Sequence, residues 1–168
     1  MTNETLSNQE LIAPAESARV AHLLLKNGWT MATAESCTGG LIAAACTDLA
    51  GSSAWFDRGF ITYSNAAKTV QLGVAATLIA QHGAVSQPVA EAMARGACAQ
   101  ASVPAALAVT GVAGPTGGSA DKPVGTVWFG WCVQGQVHSE RMQFPGDRAA
   151  VRHATVRHAL ARFAELLG

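Results

Sequence analysis

Apolar positions change between a helical and a strand-like spacing along the chain, and these changes predict alternating helices and strands. A stripe at helical spacing passes through Val20 and Leu24 and stops at Gly28, a residue type that commonly closes helices. Strands are predicted where short apolar runs lie between turn residues, at 29–34, 55–63, 104–110, 124–133 and 136–144. Run 104–110 is apolar up to its final threonine, which is typical of a central strand covered on both faces.

Helices are predicted between these strands, at 41–46, 65–72, 75–82 and 86–101 and from Asp147 to the end of the chain. Ser64, Ser86 and Asp147 are predicted N-caps, because their side-chain oxygens can accept a hydrogen bond from the first helical turn. Gln134 and Gly135 fit a hairpin turn between the last two strands. The pattern predicts an α/β fold, a three-layer α/β/α sandwich with a mixed, mostly parallel central sheet.

Composition favours a single globular domain. The chain has 168 residues, of which 49% are hydrophobic and 13% are charged, so we expect a flexible segment over 1–14 and one domain over 15–168. Eleven basic residues balance eleven acidic ones without a run of Lys or Arg, which argues against nucleic acid as a partner. Without a leader pattern or a bilayer-length apolar run, we expect a cytoplasmic protein that does not enter membranes. The apolar content is compatible with a homodimer or a larger homo-oligomer.

The cysteines and histidines do not have metal-ligand spacing. Cys37, Cys46, Cys98 and Cys132 are widely spaced and form no Cys-x-x-Cys pair, so reduced, buried thiols are expected. His153 and His158 are five residues apart and do not share a helix face. No metal site is predicted.

Two glycine-bearing loops, 33–40 (TAESCTGG) and 110–118 (TGVAGPTGG), each follow a predicted strand. A sharp turn from a strand into a helix leaves unpaired N–H groups, and glycine allows a ligand to approach them. Such donors suit an anion or an oxyanion. Ser36, Cys37 and Thr38 place a hydroxyl or a thiol beside these donors, which is the combination that acyl transfer needs. The two loops therefore predict one site.

Ser36 and Cys37 are alternative nucleophiles. Ser36 lies where the turn is predicted, but the same position suits a purely structural N-cap. Cys37 is intrinsically the better nucleophile, and a helix N-terminus would lower its pKa. Neighbouring side chains point in different directions, so only one of the two is expected to face the cavity. We expect Cys37 to pack inside, since cysteine is among the most buried residue types.

The chain resembles the CinA C-terminal domain family of competence/damage-inducible proteins from about Val20 onward. The resemblance rests on the segments 34–40 (AESCTGG), 51–53 (GSS), 63–64 (YS) with Lys68, 82–86 (HGAVS), 110–118, 122–126 (KPVGT) and 146–148 (GDR). It implies hydrolysis of the carboxamide of nicotinamide mononucleotide to nicotinic acid mononucleotide and ammonia, with this small molecule as the substrate and without a metal or organic cofactor. The departures are Val112, where isoleucine is common, and Ser119, where threonine is common.

The resemblance also assigns the catalytic roles. It favours Ser36 as the nucleophile and Lys68 as the general base, although a lysine is by default a solvated surface residue. A helix with one apolar face would desolvate the Lys68 amine and lower its pKa. Tyr63 is expected either to bridge Ser36 and Lys68 or to bind substrate, and a boundary aromatic is the alternative.

The remaining predicted site residues are backbone donors and phosphate ligands. The N–H groups of Cys37, Thr38, Gly39 and Gly40 are the predicted oxyanion hole. Arg148 and the second loop are the predicted phosphate ligands, and the residues of that loop are Thr110, Gly111, Gly114, Thr116 and Gly117. A structural turn explains the loop equally well, and Arg148 is alternatively a surface residue paired with a carboxylate. Glu35 is predicted to contact substrate; the alternatives are that it orients Lys68 or a loop amide, or that it forms a structural hydrogen bond.

Two other function classes remain open from the sequence. A noncatalytic nucleotide-binding or regulatory module needs the glycine loops but not the Ser36 and Lys68 pair. An amidohydrolase for an unphosphorylated amide needs the pair but not a phosphate site. The first would be protected by ligand against melting without forming product. The second would turn over a substrate whether or not it carries phosphate.

Overall fold

A computed structural model describes residues 11–168, so residues 1–10 of the predicted flexible segment 1–14 lie outside the described residues. Helices and strands alternate through this part of the chain. They are α1 (Pro14–Asn27), β1 (Met31–Glu35), α2 (Leu41–Thr47), β2 (Phe56–Ile61), α3 (Asn65–Leu72), α4 (Ala76–His82), α5 (Gln87–Ala101), β3 (Ala105–Gly111), β4 (Thr126–Val133), β5 (Gln136–Gln143) and α6 (Arg148–Leu167). No helix in residues 11–168 is long and apolar enough to cross a lipid bilayer.

The five strands form one sheet in the order β2-β1-β3-β4-β5. β1 is parallel to both β2 and β3, whereas β4 is antiparallel to β3 and to β5. Four of the five strands thus run in one direction and β4 alone is reversed, which confirms the predicted mixed sheet. After β1 the chain moves to one side, to β2, and then returns to the other side, to β3. Such a switch point opens a crevice at the carboxyl ends of the two strands.

Helices cover both faces of the sheet, as predicted for a three-layer sandwich. α3, α4 and α5 lie on one face, and α1, α2 and α6 lie on the other. Side chains along β1 and β3 point alternately to the two faces. The face toward α5 receives only small residues from these strands, namely Ala32, Ala34, Ala106 and Ala108. Met31 and Leu107 point to the opposite face, into the larger core.

The alanine-lined face allows α5 to lie close to the sheet. At Gly130 in β4, an added Cβ atom would lie 2.3 Å from the carbonyl oxygen of Ala90 in α5. No side chain fits at that distance, so this glycine is required by the close approach of the helix. The position of α5 matters for the site because the segment that precedes the helix forms one wall of the cleft.

Two of the three predicted N-caps are confirmed. Ser64 Oγ accepts from Ala67 N at 3.0 Å, and Asp147 Oδ1 accepts from Ala150 N at 2.9 Å. The predicted Ser86 cap is wrong: this residue precedes α5, but its hydroxyl donates to the Gly83 carbonyl at 2.8 Å and accepts no N–H from the helix. The predicted hairpin turn is confirmed, with positive φ at Gln134 (50°) and Gly135 (80°).

β1 begins later than the apolar run predicts. Gly28 is left-handed with a φ of 68°, and the N–H of Trp29 donates to the Leu24 carbonyl at 2.9 Å. This bond closes α1 in the manner of a Schellman motif. Trp29 therefore belongs to the end of the helix, and sheet pairing starts at Met31.

Candidate active site

The two glycine loops meet in one cleft, as the sequence predicts. Ser36 directly follows β1, and its N–H donates to the Val109 carbonyl of β3 at 3.2 Å, which joins the strand ends. A cleft of about 310 Å³ opens beside them, within the range of about 300–1,000 Å³ that is usual for small-molecule sites. Of the predicted site residues, those that line it are Ser36, Cys37, Tyr63, Lys68, Thr110, Gly111, Gly114, Thr116, Gly117 and Arg148. The lining residues that the sequence did not single out are Asn65, Ala84, Val85, Val112 and Ala113.

Lys68 is the best-defined polar group of the cleft. Its side chain is 1% exposed, and its Nζ donates to Ser36 Oγ at 3.1 Å and to the Thr62 carbonyl at 2.8 Å. Burial lowers the pKa of Lys68 below its ordinary value of 10.5. Lys68 forms no ion pair with a carboxylate in residues 11–168. A buried, unpaired lysine of this kind has an increased neutral fraction and is suited to accept a proton.

Helix α3 aims this amine at Ser36. The Ser64 cap starts α3 at Asn65, three residues after Thr62, and Lys68 lies on the buried side of the helix one turn later. The chain then leaves at Gly73, which is left-handed with a φ of 70°. The lysine therefore enters the cleft from a short, well-capped helix rather than from a loop, which fixes its direction.

Cys37 is buried, as predicted, and is 6% exposed. Burial raises the pKa of Cys37 from 9.0 to about 11. The thiol is therefore protonated at neutral pH, and the expected activation by a helix N-terminus does not occur. Both Ser36 and Cys37 line the cleft, but within residues 11–168 only the Ser36 hydroxyl forms a hydrogen bond with the Lys68 amine, at 3.1 Å.

Glu35 holds the first loop and does not line the cleft. Its fully buried carboxylate accepts hydrogen bonds from the Thr38 hydroxyl at 2.6 Å and from the N–H groups of Ile42 and Ala43 at 2.9 and 3.0 Å. These N–H groups belong to the first turn of α2, so Glu35 caps that helix from the preceding strand. Among the alternatives raised from the sequence, this matches a structural hydrogen bond to a loop amide. It differs from a substrate contact.

The backbone N–H groups after Ser36 divide into engaged and free donors. Gly39 N donates to the Ser36 carbonyl at 3.1 Å, so it is not available as the predicted oxyanion donor. Cys37 N and Thr38 N have no hydrogen-bond acceptor within residues 11–168, although both residues are buried. Buried N–H groups without a partner are rare in proteins. Thr38, Gly39 and Gly40 lie beside the cleft without lining it.

Tyr63 and Arg148 form the outer rim of the cleft. Arg148 donates to the Gly114 carbonyl at 2.9 Å and to the Tyr63 hydroxyl at 3.0 Å. Tyr63 is 60% exposed, and its hydroxyl bonds to this guanidinium instead of bridging Ser36 and Lys68, so that expected bridge is not formed. Arg148 likewise forms no carboxylate pair in the described part of the chain. Both side chains face the second glycine loop.

The second glycine loop forms another wall of the cleft. The turn uses left-handed glycines at Gly114 (φ 82°) and Gly117 (φ 90°) and a cis peptide bond between Gly114 and Pro115. Within residues 11–168, the Thr116 hydroxyl has no hydrogen-bond partner, whereas the Thr110 hydroxyl donates to the Ala84 carbonyl at 2.9 Å. Thr110 therefore ties β3 to the segment before α5, and Thr116 remains free for a ligand.

Arg152 contacts the first glycine loop but is not among the predicted site residues. On α6, its Nε donates to the Cys37 carbonyl at 3.2 Å and its Nη2 donates to the Thr38 carbonyl at 3.1 Å. The spacing of four residues from Arg148 on a predicted helix was the one available signal, because it puts both side chains on one helix face.

No group of three or more His, Cys, Asp or Glu side chains lies close enough to hold a metal ion in residues 11–168.

The strand order and the cleft at the switch point make this a three-layer α/β/α protein with a candidate small-molecule site, and the comparisons identify its family. The chain belongs to the CinA C-terminal domain family, whose family model matches residues 13–167. The predicted family and fold class are thereby confirmed.

Close relatives and solved structures agree. The chain is 57% identical over 144 residues to the nicotinamide-nucleotide amidohydrolase PncC of Pseudomonas putida, covering 86% of this chain and 90% of that protein. It is 49% identical over 156 residues to PncC of Escherichia coli K12, covering 92% and 93%. The crystal structure of the competence/damage-inducible protein CihA of Agrobacterium tumefaciens superposes with a TM-score of 0.89 at 45% identity, covering 92% and 94%.

Proposed function

We propose that this protein is a nicotinamide-nucleotide amidohydrolase that converts nicotinamide mononucleotide and water to nicotinic acid mononucleotide and ammonia. The observation that carries the chemistry is the buried Lys68 amine, 3.1 Å from Ser36 Oγ at the floor of the cleft. The PncC relatives supply the substrate, because their names state what they hydrolyse.

The first step is attack of Ser36 on the carboxamide carbon. A neutral Lys68 amine keeps one N–H on the Thr62 carbonyl, which leaves its lone pair to accept the Ser36 proton. The lowered pKa of Lys68 increases the fraction of enzyme in this neutral form. As the proton moves to Lys68, Ser36 Oγ forms the bond to carbon and the carbonyl electrons move to oxygen.

The negative oxygen of this tetrahedral intermediate needs donors. The free N–H of Cys37 is the nearest candidate along the chain, because it directly follows Ser36 and belongs to a residue that lines the cleft. Removing one oxyanion donor in other enzymes costs about 2.7–4 kcal/mol of barrier. The unpartnered N–H of Thr38 is the second candidate.

Collapse of the intermediate breaks the C–N bond. The Lys68 ammonium returns its proton to the leaving nitrogen, so that ammonia departs and an ester on Ser36 remains. Water then attacks this ester while Lys68 again accepts a proton. The second collapse releases the carboxylic acid and restores the Ser36 hydroxyl, so that one group serves as base and acid in both halves.

The phosphate of the substrate is assigned to the other end of the cleft. Arg148 offers a guanidinium at the rim, and the free Thr116 hydroxyl belongs to the glycine loop that Arg148 contacts at Gly114. Guanidinium groups bind phosphate oxygens through charge-assisted hydrogen bonds. We therefore propose that the phosphate binds at the rim and the carboxamide at the buried Ser36 end.

The test compares purified parent protein with Ser36→Ala and Cys37→Ala, following ammonia and nicotinic acid mononucleotide together. We expect equimolar products from the parent and from Cys37→Ala, and none above background from Ser36→Ala. Equal turnover by parent and Ser36→Ala would remove Ser36 as the nucleophile. Loss of turnover only in Cys37→Ala would transfer that role to the thiol. Absence of product from the folded parent would overturn the proposed activity, and protection against melting by the nucleotide would then identify a binding module.

A further inference from the structure

Helix α6 contacts both glycine loops through two arginines that are four residues apart. Arg148 binds the second loop at the Gly114 carbonyl, and Arg152 binds the first loop at two successive carbonyls, those of Cys37 and Thr38. Residues at this spacing lie on the same side of a helix. Arg148 is already part of the cleft, so the role of Arg152 is the open question.

Arg152 does not act on a substrate directly. It is absent from the residues that line the cleft, and it forms no ion pair within residues 11–168. Its guanidinium is used on backbone oxygens of the loop that carries Ser36. A guanidinium suits this task because its donors are fixed in one plane and can hold two acceptors at once.

The peptide geometry connects these carbonyls to the free N–H groups. In a trans peptide the C=O and the following N–H point in opposite directions. Because Arg152 holds the Cys37 carbonyl, the Thr38 N–H points away from α6. Because it also holds the Thr38 carbonyl, the Gly39 N–H is directed to the Ser36 carbonyl, where it forms its 3.1 Å bond. That bond also fixes the direction of the Ser36 carbonyl. The Cys37 N–H belongs to the same peptide as this carbonyl and therefore points away from it.

We propose that Arg152 is a positioning residue for the oxyanion site, since it sets the orientation of the peptide planes that carry the free N–H groups of Cys37 and Thr38. The inference rests on the proposed function, because it assigns these donors to the tetrahedral intermediate. Arg152 acts through the loop, before and during the reaction, without touching the reacting atoms. Loss of Arg152 is expected to destabilise the transition state more than it weakens substrate binding.

The variants are Arg152→Met, which removes the donors, and Arg152→Lys, which keeps the charge but not the planar fork. Arg157→Met is the matched control, because Arg157 is an exposed arginine of the same helix without a hydrogen bond or ion pair in the described residues. We expect kcat to fall about 10- to 100-fold in Arg152→Met, somewhat less than the loss of a complete donor, with KM within about twofold. Arg152→Lys recovers part of kcat, and Arg157→Met behaves as the parent.

Two additional measurements separate this role from folding and from the choice of substrate. Thermal melting gives the folded fraction, and unchanged kcat per folded molecule in Arg152→Met would overturn the proposal, as would a rise in KM alone. Labelling of Ser36 by a fluorophosphonate probe requires the nucleophile and the oxyanion donors but not the amide. We expect slower labelling in Arg152→Met than in Arg157→Met whether or not the parent hydrolyses the nucleotide. Failure of the parent to hydrolyse the nucleotide would overturn only the proposed substrate. Equal labelling rates would overturn the positioning role.

Discussion

Lys68 Nζ lies 3.1 Å from Ser36 Oγ, although the two residues are 32 positions apart in the chain. The contact joins the loop after β1 to a helix that follows the next strand, so it exists only once β1 and β2 have paired.

Replacing Lys68 by Met should remove most activity without unfolding the protein. Methionine has a similar length and does not place an amine in an apolar setting, so we expect the melting temperature to be retained or raised. Loss of a general base typically lowers kcat about 10²- to 10⁴-fold. Lys68→Arg is the companion variant, because arginine cannot supply a neutral base. Substantial turnover by either variant would contradict the assignment.

Activity should rise with pH through the pKa of Lys68. The base must be neutral, and burial places this pKa below 10.5, so kcat/KM is expected to increase toward a plateau that begins below that value. The measurement is a pH profile of kcat/KM with enzyme stability checked at each point. A profile flat from acidic to alkaline pH would exclude a titrating lysine.

Stability should also rise with pH in the same window. Between the lowered pKa of Lys68 and 10.5, the unfolded chain binds a proton at this residue while the native protein binds less. Since the unfolded state binds more protons, the free energy of unfolding increases as pH rises. The difference between parent and Lys68→Met in denaturant titrations isolates this contribution. The opposite slope of the difference would contradict the lowered pKa.

The native protein should resist thiol alkylation at the active site. The pKa of Cys37 is raised to about 11 and the side chain is 6% exposed, so little reactive thiolate is present near neutral pH. We expect iodoacetamide to leave turnover intact in the native protein and to label Cys37 after denaturation, as read by peptide mass spectrometry. Rapid labelling of Cys37 in the native protein would contradict the raised pKa and the burial of this thiol.

Substituting Glu35→Gln should reduce stability and leave KM unchanged. The amide keeps one acceptor oxygen where the carboxylate serves three donors, those of Thr38, Ile42 and Ala43. We expect a loss of about 1–3 kcal/mol in the free energy of unfolding, the usual cost of unsatisfied buried groups. A large increase in KM at normal stability would restore Glu35 as a substrate contact.

Substituting Arg148→Met should raise KM only for the phosphorylated substrate. A hydrogen bond to a charged group contributes about 1.5–3 kcal/mol, so we expect KM for nicotinamide mononucleotide to rise about 10- to 100-fold. Nicotinamide riboside, which lacks the phosphate, is the control substrate and should respond little. Equal increases in KM for both substrates would contradict the assignment of the phosphate to Arg148.

Local signals in the sequence predicted most of the fold. Ser64 and Asp147 cap their helices because the capping bond involves residues three positions apart, and the Gln134 and Gly135 turn is equally local. The Ser86 cap failed because a competing acceptor, the Gly83 carbonyl, lies nearby in the same loop. Propensity alone cannot decide between two such partners.

The site was predictable only where a motif or a strand end marked it. Ser36 and the glycine loops follow strands, and Lys68 came from the family resemblance. Arg152 was missed because its partners are backbone carbonyls, which every residue type has. The bond between Tyr63 and Arg148 was missed because it depends on the tertiary placement of α6.

The alanines on one face of β1 and β3 have a consequence for the dimensions of the cleft. They let α5 sit so near the sheet that Gly130 has no room for a side chain. Ala84 and Val85 precede this helix and form part of the cleft wall, and the Ala84 carbonyl accepts a hydrogen bond from the Thr110 hydroxyl. A larger side chain at Ala106 or Ala108 would push α5 outward, and the preceding segment with Ala84 and Val85 would move with the helix. The width of the cleft thus depends on methyl-sized side chains in the interior, so these buried positions are places where the size of the cleft can be changed without altering any of its lining residues.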